Sequence, residues 1–581
     1  MASVAGGLAL SVGCARGQEL SDDPPPTPDD WPEWSPPPRT LYDRVETLRR
    51  SAVSLADHGL RNGGDIAGPM EQAIRAGARA IAIPAGSFTM SRQIVFHRPL
   101  AILGDAGGSL IEWRGTENSA LRAEPATRSP DDFVRDIALD RVEIRRPDNS
   151  KAGGWLLSCA NVRGLTVTRC SAHRVSLVRV EHMRQALNLY DRRKGSIEQD
   201  PAVLAGFAAG HVDDLCEDVA IIGNRVDYGE YQGAIARFDF TRRVAVYRNI
   251  GRFAKVSWWG GGARIKEGGD IRHQRRVQHV YVAENTLSGA NGGVYGNNGR
   301  YCVVARNVIS DMLDVGVDFE GCMDCTAYEN RVKNAGNFAY ATFYAARNIE
   351  FRDNYGEQDG SAATLNERYG TGKYGSQRGI YLAALRSSGF TKADDAIIVR
   401  FIGNRFVYSG KGKLGACAPS FFTELEFRDN EMVNVCCDWR YRRTDRVRIT
   451  GNRLSFDQSG DVPVTLCAAS GYDGTIADNR ITVAADLPAE SVGIGYQLMT
   501  RSSQCVIAGN IIDNRGSTPL PITVAAVPAF TGTAAITGNR VEAVLTDGLA
   551  GRLQQSRNLD RGGRMLTPGR SDRIPGYPID S

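Results

Sequence analysis

Asp318 and Glu320 are two acids separated by a single residue in the stretch from Gly316 to Glu320. In an extended strand, residues i and i+2 point to the same side, which puts their carboxyl groups roughly 6 to 7 Å apart. That distance lies near the lower edge of the separation in inverting glycoside hydrolases, where one acid protonates the leaving oxygen and the other activates water. The pair could instead hold a Ca²⁺ ion that neutralises a uronate carboxylate. A third interpretation is a solvated acidic edge beside Arg264 or Lys266.

A second set of residues suits a different reaction, β-elimination at a uronic acid. This reaction needs a base that takes the C5 proton and cations that stabilise the enolate-like charge. We assign Lys266 as the base and Tyr295 as the acid, with Arg237 and Arg264 as partners of the substrate carboxylate and of the enolate. A plain ion pair between Lys266 and Asp239 is the structural alternative.

Aromatic and polar side chains around these groups predict a sugar-binding surface. Aromatic rings can stack on sugar rings, and the polar tips of Tyr and Trp are tolerated in a wet groove. If Val317 and Phe319 point inward, the alternate positions of each strand point outward. The candidate substrate-binding residues are Arg237, Asp239, Trp258, Trp259, Asn297, Tyr340, Tyr344 and Tyr381. Either tryptophan could equally pack a loop.

The elements that position these residues follow from a repeated phrase, an apolar run that closes on Asn. Most of these asparagines lie 22 to 31 residues apart, but the step from Asn249 to Asn285 is 36 residues and the step from Asn354 to Asn404 is 50. A repeat of this length indicates stacked supersecondary units. Short alternating stretches such as 244–247 favour strands over helices. The asparagines are Asn224, Asn249, Asn285, Asn307, Asn330, Asn354, Asn404, Asn430, Asn452, Asn479, Asn510 and Asn539.

With these features the chain resembles the right-handed parallel β-helix proteins of the pectate-lyase-like superfamily. The resemblance rests on the Asn phrases, on the amphipathic stretch 68–80 and on the strand-like runs 80–88 and 100–104, and it covers roughly residues 55 to 545. It implies an all-β fold, a single-stranded right-handed parallel β-helix (solenoid) with an N-terminal capping helix. It also implies that the asparagines form an internal ladder. Because Lys or Arg is commonly the base in lyases of this fold, it supports the role given to Lys266.

The remaining sequence predicts the domain boundaries. Residues 1–18 resemble the end of an export signal, with Cys14 as a candidate site for a membrane-attached lipid, and residues 19–54 form a Pro-rich linker and lead-in. We expect the β-helix domain over residues 55–551 and a polar C-terminal tail over residues 552–581.

The charge and the cysteine content argue against a nucleic-acid-binding protein and against a structural zinc site. The net charge of +4 comes without the dense Lys/Arg cluster of a nucleic-acid binder, so no nucleic-acid partner is expected. Cys322 and Cys325 form a lone C-x-x-C without a second pair at zinc spacing, which argues against a structural zinc.

The sequence therefore predicts an exported polysaccharide-degrading enzyme that is periplasmic, attached to the outer surface as a lipoprotein, or secreted. The preferred activity is a lyase that cleaves a uronate-containing glycan, with Ca²⁺ as a candidate cofactor. The alternatives are a glycoside hydrolase that uses Asp318 and Glu320, and a non-catalytic carbohydrate-binding surface β-helix.

Overall fold

The protein forms a long stack of coils, each built from three short strands. The computed structural model describes residues 22–183, 214–260, 276–343, 346–361, 381–386, 397–419, 423–440, 445–498, 503–526, 530–549 and 552–570. Within these ranges the strands of successive coils pair in parallel and build three long sheets. The predicted all-β, right-handed parallel β-helix is confirmed.

The three sheets are numbered by the order in which a coil passes through them. The first sheet has 18 strands: Val53–Ser54, Ala80–Ile83, Leu100–Gly104, Val134–Asp140, Val162–Thr168, Cys216–Ile222, Thr241–Tyr247, Val277–Ala283, Gly299–Ala305, Met323–Tyr328, Arg347–Arg352, Ile398–Ile402, Glu424–Arg428, Arg446–Thr450, Asp473–Ala477, Gln504–Ala508, Thr533–Thr537 and Leu553–Ser556. The second sheet has 15 strands: Gly86–Met90, Ser109–Trp113, Val142–Arg145, Ser171–His173, Arg225–Asp227, Ile250–Arg252, Thr286–Ser288, Val308–Ser310, Arg331–Lys333, Tyr355–Gln358, Arg405–Tyr408, Glu431–Val433, Arg453–Phe456, Arg480–Val483 and Ile511–Asn514. The third sheet consists of Ile94–Phe96, Ser119–Ala123, Trp155–Ala160, Ser176–Glu181, Gly233–Asp239, Ala254–Trp259, Val294–Asn297, Val315–Glu320, Phe338–Phe343, Tyr381–Arg386, Gly415–Pro419, Val435–Trp439, Thr465–Gly471, Val492–Leu498, Ile522–Ala526, Val544–Asp547 and Gly569–Arg570.

A sharp bend between the first and second sheets explains the repeated phrase. The residue before each Asn adopts a left-handed backbone conformation with φ between 52° and 68°. Glycine enters this region without steric cost, and Asp and Asn enter it more readily than most residues, which accounts for the frequent Gly-Asn and Asp-Asn pairs. The residues at this position are Gly223, Arg248, Glu284, Arg306, Glu329, Asp353, Gly403, Asp429, Gly451, Asp478, Gly509 and Gly538.

The asparagines at this bend form one continuous buried ladder. The Oδ1 atom of each Asn accepts hydrogen bonds from the backbone N and the Nδ2 of the preceding rung, as Asn479 does from Asn452 at 3.0 and 2.9 Å. The ladder extends one rung beyond the predicted set, since Asn558 accepts from Asn539. Asn354 and Asn404 are neighbouring rungs, so the 50 residues between them belong to one enlarged coil.

The interior of the coils is apolar and contains a run of stacked aromatic rings. Phe351 and Phe401 lie 4.9 Å apart between ring centroids with nearly parallel rings, and Trp439 continues the stack at 5.8 Å from Phe401. Every cysteine in the described residues is buried, where a thiol packs as a small apolar side chain.

Two helices precede the regular coils. Helix α1 spans Pro38–Arg50 and helix α2 spans Ala67–Arg75, with a 3-10 turn at Leu55–His58 between them. Ala67, Met70 and Ala73 on α2 join the main apolar core, which confirms the predicted capping helix. Neither helix has the length and apolar composition that a bilayer span requires, among the ranges described above.

The described part of the predicted Pro-rich linker is docked on the first sheet. The ring of Trp31 lies 5.3 Å from that of Tyr247 and 5.5 Å from that of Tyr281. Asp30 accepts a hydrogen bond from Arg306 at 2.6 Å and from Tyr281 at 3.0 Å. The burial of Asp30 alone would raise the pKa of its carboxyl, but the hydrogen bonds from Arg306 and Tyr328 outweigh this effect and lower it. Residues 22–50 therefore form a packed strap and not a free tether.

Replacing one rung of the ladder should destabilise the whole stack. Asn452→Ala removes the acceptor of Asn430 and the donor to the Phe427 carbonyl, and each buried group left without a partner costs about 1–3 kcal/mol. We expect the free energy of unfolding, measured by urea denaturation, to fall by about 3 kcal/mol. The control Arg448→Ala, at an exposed position of the same coil, should change it by less than about 0.5 kcal/mol. Equal effects of the two variants would contradict a stabilising ladder.

Candidate functional site

The third sheet presents most of the predicted residues on its outer face. Strand pairing places Arg237 beside Ser257, Ser257 beside Tyr295, and Tyr295 beside Asp318. Two residues further along the same strands, a parallel row runs through Asp239, Trp259, Asn297 and Glu320. The predicted outward orientation of Arg237, Asp239, Tyr295, Asn297, Asp318 and Glu320 is correct. Asp318 and Glu320 lie on one strand, and Tyr295 and Asn297 lie beside them on the neighbouring strand.

Glu320 is held by two donors from the neighbouring strand. Tyr295 Oη donates to Glu320 Oε1 at 2.6 Å, and Asn297 Nδ2 donates to Glu320 Oε2 at 2.8 Å. Asn298 Nδ2 in turn donates to Asn297 Oδ1 at 2.7 Å and fixes the orientation of that amide. Donors on both oxygens stabilise the ionised carboxylate of Glu320.

Asp318 has a different environment, although it lies on the same strand. It is 1% exposed, and neither carboxyl oxygen has a hydrogen-bond partner among the described residues. Burial and then the negative charges of Glu320 and Asp314 raise the pKa of Asp318 well above its ordinary value. Burial and these neighbouring charges therefore favour the protonated form of Asp318.

The acid pair differs from the charge pairs found earlier on this face. Three earlier strands each carry an Arg and, two residues later, an acid within 3.2 Å of it: Arg122–Glu124, Arg179–Glu181 and Arg237–Asp239. Following the strand pairing from Arg237 through Ser257 and Tyr295, the position of the Arg is occupied by Asp318. A cation that neutralises the acid on other strands is thus replaced by a second acid.

Lys255 is a functional candidate that the sequence analysis missed. It lies partly exposed on the strand Ala254–Trp259, and its Nζ is 5.4 Å from the ring centroid of Tyr295. Burial, and then the charge of Arg237, lowers the pKa of Lys255 to about 8 against the opposing effect of Asp314 and Glu320. The alternation in Ala-Lys-Val-Ser-Trp-Trp, directly after the short strand Ile250–Arg252, is the pattern that could have identified it.

The third-sheet strand of the coil that begins at Asn249 is Ala254–Trp259, which ends before Arg264 and Lys266. Lys266, Arg264 and Tyr344 lie outside the described residues, and so does the side chain of Tyr381. The roles given to these four residues stay predictions.

Two predicted substrate-binding residues belong to the core. Trp258 is 2% exposed and its ring lies 5.8 Å from that of Phe238 and 6.3 Å from that of Phe319, in the interior stack. Tyr340 is fully buried and pairs with the inward-facing Val317. The predicted outward orientation of Tyr340 is wrong because the alternation was counted in the wrong phase. Trp258 was predicted to bind substrate or to pack a loop, whereas it lies on a strand and points into the core. Trp259 points outward and is partly exposed.

Asp239 lies on the outer face and is paired with a cation. It is fully buried and its carboxylate lies 3.2 Å from Arg237, whose guanidinium is partly exposed. Burial raises the pKa of Asp239, and Arg237 opposes this effect. Arg237 is therefore the member of this pair that could reach a substrate.

The calcium site predicted at Asp318 and Glu320 has no ligand set in the described part of the chain. No group of three or more His, Cys, Asp or Glu side chains there could hold a metal ion. Calcium takes six to eight oxygen ligands, and the Glu320 oxygens already accept from Tyr295 and Asn297. Calcium binding stays a prediction.

The raised pKa of Asp318 predicts that the stability of the protein depends on pH. The pKa of this carboxyl group is higher in the folded protein than in the unfolded chain, so between the two values the folded protein binds one proton more. The free energy of unfolding therefore falls as the pH rises through that window. The slope for one group is about 1.4 kcal/mol per pH unit. Asp318→Asn removes the titrating carboxyl group and therefore this loss. The free energy of unfolding of the variant minus that of the original protein should increase from about pH 4 upward. A difference that stays constant with pH would contradict the raised pKa.

No protein-family model and no curated protein matches the sequence. Among solved structures, the Streptococcus pneumoniae surface protein and adhesin PfbA is 11% identical, over 81% of this chain and 99% of its own, with a TM-score of 0.34. The N-terminal fragment of bacteriophage Phi29 gene product 12 is 11% identical, over 87% and 92%, with a TM-score of 0.39. The catalytic unit of a GH87 α-1,3-glucanase from Streptomyces thermodiastaticus is 13% identical, over 87% and 68%, with a TM-score of 0.26. These likenesses concern the fold alone. By its three parallel sheets, this chain is a right-handed parallel β-helix protein.

Proposed function

We propose that the protein is a glycoside hydrolase that cleaves a polysaccharide with inversion, with Asp318 as the general acid and Glu320 as the general base. The observation that supports this proposal is the difference between the two carboxyl groups. Burial and neighbouring negative charges raise the pKa of Asp318, whereas Glu320 accepts hydrogen bonds from Tyr295 and Asn297. Two neighbouring carboxyl groups with separated protonation states are the pattern of an acid and base pair.

The spacing of the pair suits a single-step displacement. Residues i and i+2 of a strand lie roughly 6 to 7 Å apart, which leaves room for one water between an acid and a base. Asp318 donates its proton to the glycosidic oxygen as the bond to the anomeric carbon breaks. Glu320 takes a proton from the water, whose oxygen bonds to the opposite face of that carbon. Exchange with solvent then returns the proton to Asp318.

β-Elimination at a uronate is the second candidate, and one observation favours it. Lys255, with a pKa of about 8, is a cation that can lose its proton near neutral pH and serve as the base at C5. The acid assigned to Tyr295 suits this reaction less well. Its hydroxyl donates to Glu320 at 2.6 Å, and burial together with Asp318 and Glu320 raises its pKa.

The fold does not decide between catalysis and binding. A glucanase and an adhesin both share it at the level of fold. The choice therefore depends on the chemistry of the residues on the outer face of the third sheet. A non-catalytic carbohydrate-binding protein is the outcome if no bond is cleaved.

A glycan substrate outside the cell fits the proposed export of the protein. We propose that the chain is exported and that Cys14 carries the lipid. Metabolic labelling with palmitate should label the protein and not its Cys14→Ser variant. Equal labelling, or none in either, would contradict the lipid attachment.

A polysaccharide panel tests the proposed reaction. The protein is incubated with acidic and neutral polysaccharides while reducing ends, unsaturated-uronate absorbance and the anomeric configuration of the new end are followed together. We expect reducing ends of inverted configuration without absorbance. Asp318→Asn and Glu320→Gln should each lower kcat by about 10²- to 10⁴-fold, the contribution of a general acid or base.

The matched control is Glu181→Gln, which changes an acid on the same face that is already paired with Arg179. Its kcat should stay within about twofold, because it lies outside the proposed chemistry. If new reducing ends appear together with unsaturated-uronate absorbance, and both are lost in Lys255→Met, the reaction is elimination and not hydrolysis. If the protein retains a glycan but forms no new reducing ends, it is a carbohydrate-binding protein and not an enzyme for that glycan.

A further inference from the structure

The second sheet carries a row of exposed arginines along its outer face. Each of them directly follows a rung of the asparagine ladder, so the bend that buries the Asn turns the next side chain outward. We call these residues the arginine row: Arg331, Arg405, Arg453, Arg480 and Arg540. Strand pairing connects them through Tyr355, Glu431 and Ile511, so that every coil from Arg331 to Arg540 contributes one residue.

The centre of the row is not neutralised. Arg453 and Arg480 pair directly across neighbouring strands, and neither has an ion-pair or hydrogen-bond partner for its guanidinium among the described residues. Glu431, the acid in the row, lies 3.6 Å from Arg405. Like charges placed side by side on a sheet are destabilising. Packing and stability therefore give no reason for two adjacent arginines at this place.

We propose that the arginine row binds a linear acidic polysaccharide that lies along the axis of the β-helix. The strands are about 4.8 Å apart, so Arg453 and Arg480, on neighbouring coils, offer two guanidinium groups at a step close to one sugar unit of an extended chain. A guanidinium binds a carboxylate or a sulfate through two parallel hydrogen bonds. The anionic groups of the glycan contact Arg453 and Arg480.

Hydroxyl groups beside the arginines complete the surface. Ser455 and Thr482 lie two residues after Arg453 and Arg480 on the same strands and pair with each other. Ser455 is exposed and Thr482 is partly exposed, so both can bond sugar hydroxyls next to the anionic group.

The row suits an acidic glycan better than a nucleic acid. Duplex DNA carries one negative charge per ~1.7 Å of its axis, denser than the adjacent cations Arg453 and Arg480, whose strands are about 4.8 Å apart. Single strands are held by stacking of bases on aromatic rings. Tyr355 is the aromatic member of this row, and the guanidinium of Arg331 lies over its ring at 4.8 Å. The row therefore offers isolated charges without a stacking platform.

This inference is independent of the proposed hydrolysis because it concerns a different sheet. The full-length protein is titrated with a polyuronate, a sulfated glycan, a neutral glucan and a single-stranded oligodeoxynucleotide, and the affinities are measured by calorimetry. We expect the polyuronate or the sulfated glycan to bind most tightly, with the better of the two identifying the anionic group. Arg453→Gln combined with Arg480→Gln should weaken this binding at least tenfold, while release of reducing ends from any cleaved substrate stays unchanged.

The matched control combines Arg135→Gln with Arg448→Gln. Both arginines are exposed on the first sheet without a described partner, so the control changes the net charge equally. Its affinity should stay within about twofold of the original protein, since net charge alone acts through the weak general field. Equal losses in both double variants, or no loss in either, would overturn the proposal. Tighter binding of the oligodeoxynucleotide that depends on Arg453 and Arg480 would also overturn it in favour of a nucleic-acid surface.

Discussion

The buried asparagine ladder is the interaction on which the rest of the structure depends. Each rung satisfies backbone and amide groups of its neighbours inside a low-dielectric core, where an unpaired polar group is costly. The chain of bonds begins at the backbone N of Cys170, which donates to Asn224, and continues rung by rung to Asn558. It fixes one bend per coil regardless of coil length, so insertions such as the one between Asn354 and Asn404 leave the register of the strands unchanged.

A fixed register turns sequence spacing into continuous rows of side chains on the outer faces. On the third sheet, the row that carries Arg122, Arg179 and Arg237 reaches Asp318, where an acid replaces the cation. The result is a buried carboxyl group with a raised pKa next to Glu320, which accepts two hydrogen bonds. On the second sheet, the same register lines up Arg453 and Arg480. In both candidate surfaces, residues of like charge lie side by side, and the rigid β-helix holds them in these positions.

The sequence was sufficient for the repeated part of the fold because the ladder requires Asn at a bend and the strands require alternation. It also predicted the outward positions of Asp318, Glu320, Tyr295 and Asn297, since Val317 and Phe319 identify the inward phase of that strand. It failed at Tyr340, where the alternation was counted in the wrong phase, and at Trp258, whose aromatic ring suits a core as well as a sugar. Lys255 was missed because its strand follows the bend sooner than in the two neighbouring coils. The docking of Trp31 and Asp30 depends on contacts with residues more than two hundred positions away, which local patterns do not contain.

The proposed role of Asp318 as the general acid requires a proton on its carboxyl group at neutral pH. Difference infrared spectroscopy at neutral pH, comparing the protein with its Asp318→Asn variant after isotopic labelling of aspartate carboxyl groups, measures that proton directly. We predict a protonated-carboxyl stretching band that shifts with the label and disappears in the variant. A spectrum of the original protein in which this band is absent at neutral pH, with Asp318 contributing a carboxylate band instead, would contradict the assignment of Asp318 as the acid.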